Sequence, residues 1–200
     1  MKLPDTAHTS RPWRIHELTP DFRLEDVWAL PTPGGPDDLA RLVEQFAGVD
    51  EPQAVNADGR FVGESDGFRA GVSRALFALR WQLGAWFGWD DRPCAETLRD
   101  RLPADLRETP GPDPKSVPFS SLYLTHDEWA AEIVNRTAHA VMHIGWVPDG
   151  AGGYTGQMAV LVKPNGRFGE AYMGAIAPFR HLIVYPVLIP SIGRRWQAAA

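Results

Sequence analysis

Two histidines and one glutamate are the side chains of this sequence best suited to proton transfer. His139 and His143 are four residues apart, and an imidazole titrates near neutral pH. Glu132 lies in the otherwise apolar segment AAEIV, where burial in a cavity would suit it to acid–base chemistry. These three residues are therefore the candidate catalytic groups. The structural alternatives are histidines that face a pocket or water, and a Glu132 that is exposed or paired with Arg136 or Arg180.

The same two histidines are poor candidates for a metal site. On a helix they would share one face, as two zinc ligands do, but the sequence offers no obvious third ligand. On a strand they would lie about 13 Å apart, too far to bind one ion. The chain also has no phosphate-binding loop, dinucleotide fingerprint or GxSxG motif. We expect no metal and no cofactor, and we leave open whether the protein is an enzyme.

A second group of residues has the chemistry to line an apolar ligand pocket. Trp129 and Trp146 fall in a segment predicted to form a sheet, and Tyr172, Ile176 and Arg180 fall on a predicted C-terminal helix. An arginine in so apolar a helix must reach solvent or find an anionic partner. That partner could be Glu132, a backbone carbonyl or a ligand carboxylate.

The elements that carry these residues are predicted to be strands followed by a helix. The segment 119–125 is a plausible strand, and 155–163 alternates between apolar and polar residues as a strand does. Residues 129–147 are ambiguous, because a capping box at 125–128 favours a helix, whereas alternation from Ala138 to Trp146 favours strands. We favour two strands, with a hairpin tip at Asn135 and Arg136 and a second tip at 150–153.

The helical period returns at residues 169–196, where Tyr172, Ile176 and later apolar residues recur every three or four positions. Pro178, Pro186 and Pro190 must kink or interrupt this helix. Further helices are predicted in the N-terminal part of the chain, at 20–30, 37–47, 68–87 and 94–102.

Length and charge narrow the class of protein. The 200 residues suffice for one domain, which we divide into helices and loops (1–118), an antiparallel meander (119–168) and a C-terminal helix (169–196). The net charge of −5 argues against nucleic-acid binding, and the single cysteine excludes an internal disulfide. Residues 119–200 carry only 11 charged side chains, so much of their surface should be buried or line a cavity.

The sequence shows no recognisable targeting signal and no typical transmembrane segment. The first 20 residues contain no apolar run typical of a signal peptide, and the apolar stretch 171–192 contains Arg180, His181 and three prolines. We therefore expect a cytoplasmic protein that does not span a membrane.

Three segments together carry a family resemblance: residues 20–38 (PDFRLEDVWALPTPGGPDD), 135–146 (NRTAHAVMHIGW) and 171–186 (AYMGAIAPFRHLIVYP). They resemble an uncharacterised bacterial family of unknown function, a domain that is also found behind short-chain-dehydrogenase-like domains. That family is similar to the START-like, or SRPBCC, helix-grip superfamily. The resemblance covers nearly the whole chain, but it transfers no catalytic residues, because the activity of the family is unknown.

The resemblance implies an α+β fold, in which an antiparallel sheet wraps around a long C-terminal helix and extra helices precede the sheet. It also implies a pocket between sheet and helix for an apolar small molecule. We consider three functions: binding of such a molecule, an enzyme of cyclase, dehydratase or hydrolase type that uses acid–base residues in the same pocket, and an interaction module. In the third, the run 182–192 would dock on a partner, a second subunit or a membrane face.

Overall fold

A five-stranded antiparallel sheet forms the centre of the protein, with its strands in the order β1-β5-β4-β3-β2. The computed structural model describes residues 1–48, 97–114, 119–135 and 137–199. The strands are β1 Arg23–Ala29, β2 Ser120–Leu124, β3 Glu128–Val134, β4 Ala138–Pro148 and β5 Tyr154–Pro164. The sheet is open, with β1 and β2 at its edges, and a C-terminal helix follows β5. The predicted α+β class is confirmed.

The ambiguous segment 129–147 is a β-hairpin, as favoured from its alternation. Strands β3 and β4 pair from Glu128 opposite Gly145 to Val134 opposite His139. The side chain of Asn135 accepts hydrogen bonds from the backbone of Thr137 and Ala138, which stabilises the tight tip. The predicted strands at 119–125 and 155–163 are also present.

The predicted helix at 20–30 is wrong, because this segment forms strand β1. It pairs with β5 from Arg23 opposite Val162 to Ala29 opposite Gln157. Pro20 after Thr19 is a local helix-start signal, but the 11-residue strand β5 offers a ladder of backbone partners that outweighs it. Val27 and Trp28, both residue types that favour strands, then pack on opposite faces of the sheet.

Short helices surround the sheet and a long one follows it. They are α1 Thr6–Thr9, α2 Ile15–Leu18, α3 Leu39–Ala47, a 3-10 helix Leu98–Arg101, α4 Ala104–Arg107, α5 Gly166–Phe179, a π-helical turn Arg180–Val184 and α6 Tyr185–Ala198. Helix α3 confirms the prediction at 37–47. The predicted helix at 68–87 and the first part of that at 94–102 lie outside the described residues, and the remainder of the latter is the 3-10 helix.

The C-terminal helix is interrupted at residues 180–184, between Pro178 and Pro186 as predicted, whereas Pro190 lies inside α6 and does not interrupt it. The segments 169–182 and 185–198 meet at 50°, with the π-helical turn at the bend. Pro186 has no N–H, and its ring excludes the carbonyl of Leu182 one turn earlier, so the regular hydrogen-bond ladder is broken there. Within the described residues no single helix is long and apolar enough to cross a membrane, and only the bent pair meets that test when taken together.

The sheet is covered on both faces. On one face, here called the N-terminal face, Trp13, Ile15 and Leu18 pack with residues of 98–106 over the strands. On the other, here called the helical face, α3 and α6 pack over the strands through apolar residues that include Leu42 and Ile189. Since side chains alternate along a strand, each strand residue belongs to one of these two layers.

Candidate functional site

Strand β4 presents two histidines to two glutamates of β3 in the same diagonal arrangement. His143 Nε2 lies 2.9 Å from Glu128 Oε2, and His139 Nε2 lies 2.7 Å from Glu132 Oε2. All four side chains are buried. In antiparallel strands a residue reaches the diagonal neighbour as well as the one directly opposite, so a four-residue spacing on each strand produces two parallel pairs.

Glu128 is the most densely bonded of these carboxylates. Its Oε1 accepts the backbone N–H of Arg14 at 2.8 Å, and its Oε2 accepts the Tyr123 hydroxyl at 3.1 Å in addition to His143. Burial alone would raise the pKa of Glu128, but the hydrogen bond and charge of His143 outweigh burial and lower it. Burial, together with the Glu128 charge, raises the pKa of Tyr123. Glu128 is therefore a carboxylate at neutral pH.

The contact at Glu128 continues outward through two more imidazoles. His143 Nδ1 lies 3.2 Å from His8 Nε2, and His8 Nδ1 lies 3.1 Å from His16 Nε2. His143 and His8 are fully buried, whereas His16 is half-buried. Burial, and then the neighbouring His143 and His16, lower the pKa of His8 to about 3. The three residues, here called the histidine chain, connect the carboxylate of Glu128 with the surface.

The predicted catalytic residues thus lie in an unexpected place. Glu132, His139 and His143 are on the N-terminal face, away from the C-terminal helix, so they do not share a pocket with Arg180. The histidines are buried in pairs instead of facing a pocket or water. Glu132 also accepts the backbone N–H of Leu98 at 2.9 Å. Among the described residues, no group of three or more His, Cys, Asp or Glu is arranged to hold a metal ion.

A second polar cluster lies on the helical face, where the π-helical turn passes over β1. Asp26 is fully buried, and its Oδ2 accepts the Tyr185 hydroxyl at 3.0 Å. Arg180 donates to Glu25 at 3.1 Å and lies 3.5 Å from Asp26. His181 Nε2 and Lys2 Nζ lie 3.1 and 3.4 Å from Asp26 Oδ1. The partners of Arg180 are therefore Glu25 and Asp26, not Glu132.

Three buried polar atoms of this second cluster form no hydrogen bond. They are Asp26 Oδ1, Trp28 Nε1 and Arg180 Nε. The Trp28 ring lies 4.8 Å from the Tyr185 ring and 6.3 Å from the His181 ring, and Tyr185, His181 and Arg180 all contact Asp26, so the three atoms belong to neighbouring side chains. Buried polar atoms in proteins nearly always have a hydrogen-bond partner, so three buried atoms without one on neighbouring side chains require an explanation. We call Asp26, Trp28, Arg180, His181 and Tyr185 the helix-break site.

The other predicted pocket residues have protein partners. Trp129 is fully buried and donates its indole N–H to Ser121 at 2.9 Å. Trp146 donates to the carbonyl of Gly35 at 2.8 Å and packs on Trp196. Ile176 is half-buried beside Met173, and the side chain of Tyr172 lies outside the described part of the structure.

Comparison with known proteins assigns the chain to a family. The model of a family described as "Protein of unknown function (DUF2867)" matches residues 18–187, which is most of the chain. The protein belongs to the DUF2867 family. No curated protein and no solved structure matches it. In this DUF2867 chain, the matched range includes the whole helix-break site and Glu128, whereas His8 and His16 precede it.

Sequence reasoning missed Asp26 and Glu128 for different reasons. The position of Asp26 on the sheet could not be inferred, because the local pattern of its segment indicates a helix. Glu128 was interpreted as part of a capping box, although a signal was available. A hairpin with its tip at Asn135 places residues equally far from the tip opposite each other, so His143 must lie near Glu128 if His139 lies near Glu132. The DUF2867 match carries no residue roles that could have supplied either assignment.

Proposed function

We propose that this protein binds an apolar small molecule that carries one neutral polar group, at the helix-break site between the sheet and the C-terminal helix. The observation that carries the proposal is the set of three buried atoms without hydrogen bonds. Trp28 Nε1 and Arg180 Nε are donors without a partner, and Asp26 Oδ1 is an acceptor that has ion-pair contacts with His181 and Lys2 but no hydrogen bond. A hydroxyl or carboxamide both accepts and donates, so it would complement them.

The charge balance favours a neutral polar group. Asp26 and Glu25 supply two negative charges, and three cations lie within 3.5 Å of them: Lys2, Arg23 and Arg180. Only Arg180 is largely buried, because half or more of the Lys2 and Arg23 side chains is exposed. A ligand carboxylate would add an unpaired charge to a fully buried site, which is costly. The rings of Trp28 and Tyr185 supply the apolar wall that a hydrocarbon tail needs.

The backbone at this site supports the same proposal. A π-helical turn widens a helix locally and is frequent at functional sites. We also propose that the chain is a helix-grip protein of the START-like kind, since a bent helix lies on one face of an antiparallel sheet. In that arrangement the bend in the helix would be the place where a ligand reaches the polar atoms.

General acid–base catalysis is a second candidate function for the helix-break site. Asp26 Oδ1 and His181 Nε2 are 3.1 Å apart, close enough to exchange a proton. Burial, together with the Asp26 charge, raises the pKa of Tyr185 and keeps its proton in place. An enzyme of cyclase, dehydratase or hydrolase type would therefore use these residues, and not Glu132, His139 and His143.

An interaction surface is the third candidate. Leu182 at the bend is 76% exposed and Val187 is 43% exposed, and apart from Met1 they are the exposed large apolar side chains among the described residues. A homodimer through this surface would bury both. Sedimentation velocity of the protein, alone and with liposomes, separates a monomer from a dimer and from a membrane-bound form.

The binding proposal is tested by two measurements on the same protein. Native mass spectrometry of protein purified from its source should detect a bound small molecule. Among three probes of equal chain length, decanol and decanamide should raise the melting temperature more than decanoic acid does. Absence of a bound mass, together with no effect of any of the three probes, would show that the proposal is wrong.

A pair of matched variants locates the binding. Trp28→Phe removes one unpartnered N–H and should weaken decanamide binding about fivefold to tenfold. Trp13→Phe is the control, because Trp13 Nε1 is also buried without a hydrogen bond but lies on the N-terminal face. Equal effects of the two variants would place the ligand elsewhere.

A further inference from the structure

When His8, His16 and His143 are all neutral, the hydrogen bonds of the histidine chain allow only one arrangement of their protons. Glu128 is ionised, so His143 must donate to it through Nε2–H, and its Nδ1 is then an acceptor. His8 must therefore donate to His143 through Nε2–H and accept at Nδ1. His16 must in turn donate to His8 through Nε2–H. All three neutral rings carry their proton on Nε2, and each donates towards Glu128.

This arrangement can take up one proton without losing a hydrogen bond. A proton added at His16 Nδ1 allows the Nε2 proton of His16 to pass to His8, and that of His8 to pass to His143. His143 then carries two protons beside the Glu128 carboxylate, while His8 and His16 carry theirs on Nδ1. A second added proton would make N–H groups of two adjacent rings face each other, so at least one contact of the chain must break.

The hydrogen bonds that a second proton would break help to hold the N-terminal segment, residues 1–22, on the sheet. His8 and His16 belong to this segment, whereas His143 belongs to strand β4. The same segment donates the backbone N–H of Arg14 to Glu128 and packs the Trp13 ring against Gly145. We propose that the histidine chain is a pH-sensitive switch that keeps residues 1–22 docked on the sheet when it holds no more than one extra proton, and releases them when more protons bind.

Other charged groups lie around the histidine chain on the elements packed against it. They do not supply the acceptor that the chain would lack after it has taken up a second proton. Glu128 on β3 is its only direct carboxylate partner among the described residues. Arg14 binds Asp105 at 2.9 Å and lies 3.5 Å from Glu17, so those carboxylates are already paired. The groups that surround the chain are Arg11, Arg14, Glu17, Asp105, Tyr123 and Glu128.

The direction of the pH effect follows from proton counting. In the released segment each imidazole has a pKa near 6.5, whereas burial lowers the pKa of docked His8 to about 3. The released state therefore binds more protons below pH 6.5, and acid favours release. His8 alone increases the release equilibrium about 25-fold between pH 7 and pH 5. Burial also lowers the pKa of His16, which adds to the effect in the same direction.

Hydrogen exchange of the full-length protein between pH 7 and pH 5 tests the proposal, with protection factors corrected for the intrinsic pH dependence of exchange. Amides of residues 3–22 should lose about 25-fold or more of their protection, with a slope that approaches two protons. Amides of β4 and β5 should keep theirs. Imidazole nitrogen-15 spectra at pH 7.5 should show the Nε2–H form for His8, His16 and His143.

Two variants and a control distinguish release caused by the histidine chain from destabilisation of the whole protein by acid. His8→Phe cannot take up the buried proton, and the loss of protection should shrink to a few-fold. His16→Gln, at a half-buried position, should lower the slope by about one proton. His126→Gln is the control, since the His126 side chain is 88% exposed and outside the chain, and it should behave as the wild type.

Three results would overturn the proposal. The first is simultaneous loss of protection in residues 3–22 and in β4 and β5, because release would then not be local. The second is a wild-type pH dependence in His8→Phe. The third is a nitrogen-15 spectrum at pH 5 in which two of the three imidazoles carry protons on both nitrogens while residues 3–22 keep their protection, which needs no variant to be measured.

Discussion

The Tyr185 hydroxyl donates a 3.0 Å hydrogen bond to Asp26, a carboxylate with no exposed surface, and so connects the C-terminal helix to edge strand β1. The same carboxylate faces Arg180 and His181 from the preceding π-helical turn. The bend in the helix therefore lies over a charged contact with the sheet. Since a buried charge must be paired, this contact holds the bent segment, whose helical ladder Pro186 interrupts, against strand β1.

Replacement of Tyr185 by Phe should destabilise the protein. The variant keeps the ring against Trp28 and removes only the hydroxyl, leaving Asp26 Oδ2 without its donor. We expect a loss of about 1–3 kcal/mol in the free energy of unfolding, measured by urea denaturation. Tyr154→Phe is the matched control, because the Tyr154 hydroxyl forms no hydrogen bond with a described residue, and it should change stability by less than about 0.5 kcal/mol.

The strands beyond residue 118 could be predicted because their pattern is local. Alternation along Ala138–Trp146 and turn residues at Asn135 and 150–153 are determined by neighbouring positions in the chain. The C-terminal helix and its interruption were likewise predictable, since proline acts on its own turn. For β1 the local signal pointed to a helix, and only the pairing with β5, more than 120 residues later, makes the segment a strand.

The candidate site was predicted less well than the fold, for a physical reason. The residue types His139, His143, Glu132 and Arg180 were identified, but the sheet face that each one occupies was not. Neighbouring residues of a strand point to opposite faces of the sheet, so an assignment that is wrong by one residue places a side chain on the wrong face. For this reason the sequence did not show that these four residues lie on two different faces and not in one pocket. His8 and His16 had no signal in the sequence, since His8 contacts His143, 135 residues later in the chain, and His16 contacts His8.

Glu132 is expected to matter for stability through the two donors that it satisfies. Glu132→Ala would leave both the Leu98 N–H and His139 Nε2 without an acceptor in a buried place, and we expect a loss of about 3 kcal/mol in urea denaturation. Glu132→Gln keeps one acceptor oxygen and should lose clearly less. Glu17→Ala is the control, because Glu17 is an exposed partner of Arg14 and should cost about 0–1 kcal/mol. Equal losses for Ala and Gln would contradict this explanation.

Gly145 is expected to be required by the close approach of Trp13. A Cβ at this position would lie 2.5 Å from the Trp13 ring, which is itself buried and cannot move freely. Gly145→Ala should therefore cost about 1–3 kcal/mol of the free energy of unfolding and shift the N-terminal segment.

Gly174 in α5 is the opposite case, since a Cβ there meets nothing within 4 Å. Gly174→Ala should stabilise the protein by about 0.5–1 kcal/mol, measured as a rise in melting temperature.

The free energy of unfolding should fall with acid even if residues 1–22 do not separate first. Global unfolding exposes His8, whose pKa rises from about 3 in the folded chain to about 6.5 in the unfolded one. Its contribution is fully present above pH 6.5 and is lost as the pH falls towards 3, amounting to about 2 kcal/mol between pH 7 and pH 5. Urea denaturation at these two pH values measures it, and His8→Phe should reduce the difference. The lowered pKa of Glu128 acts in the same direction, but only below its unfolded value near 4.5, so it does not contribute at pH 5. An equal pH dependence in wild type and His8→Phe would assign the acid sensitivity to other groups.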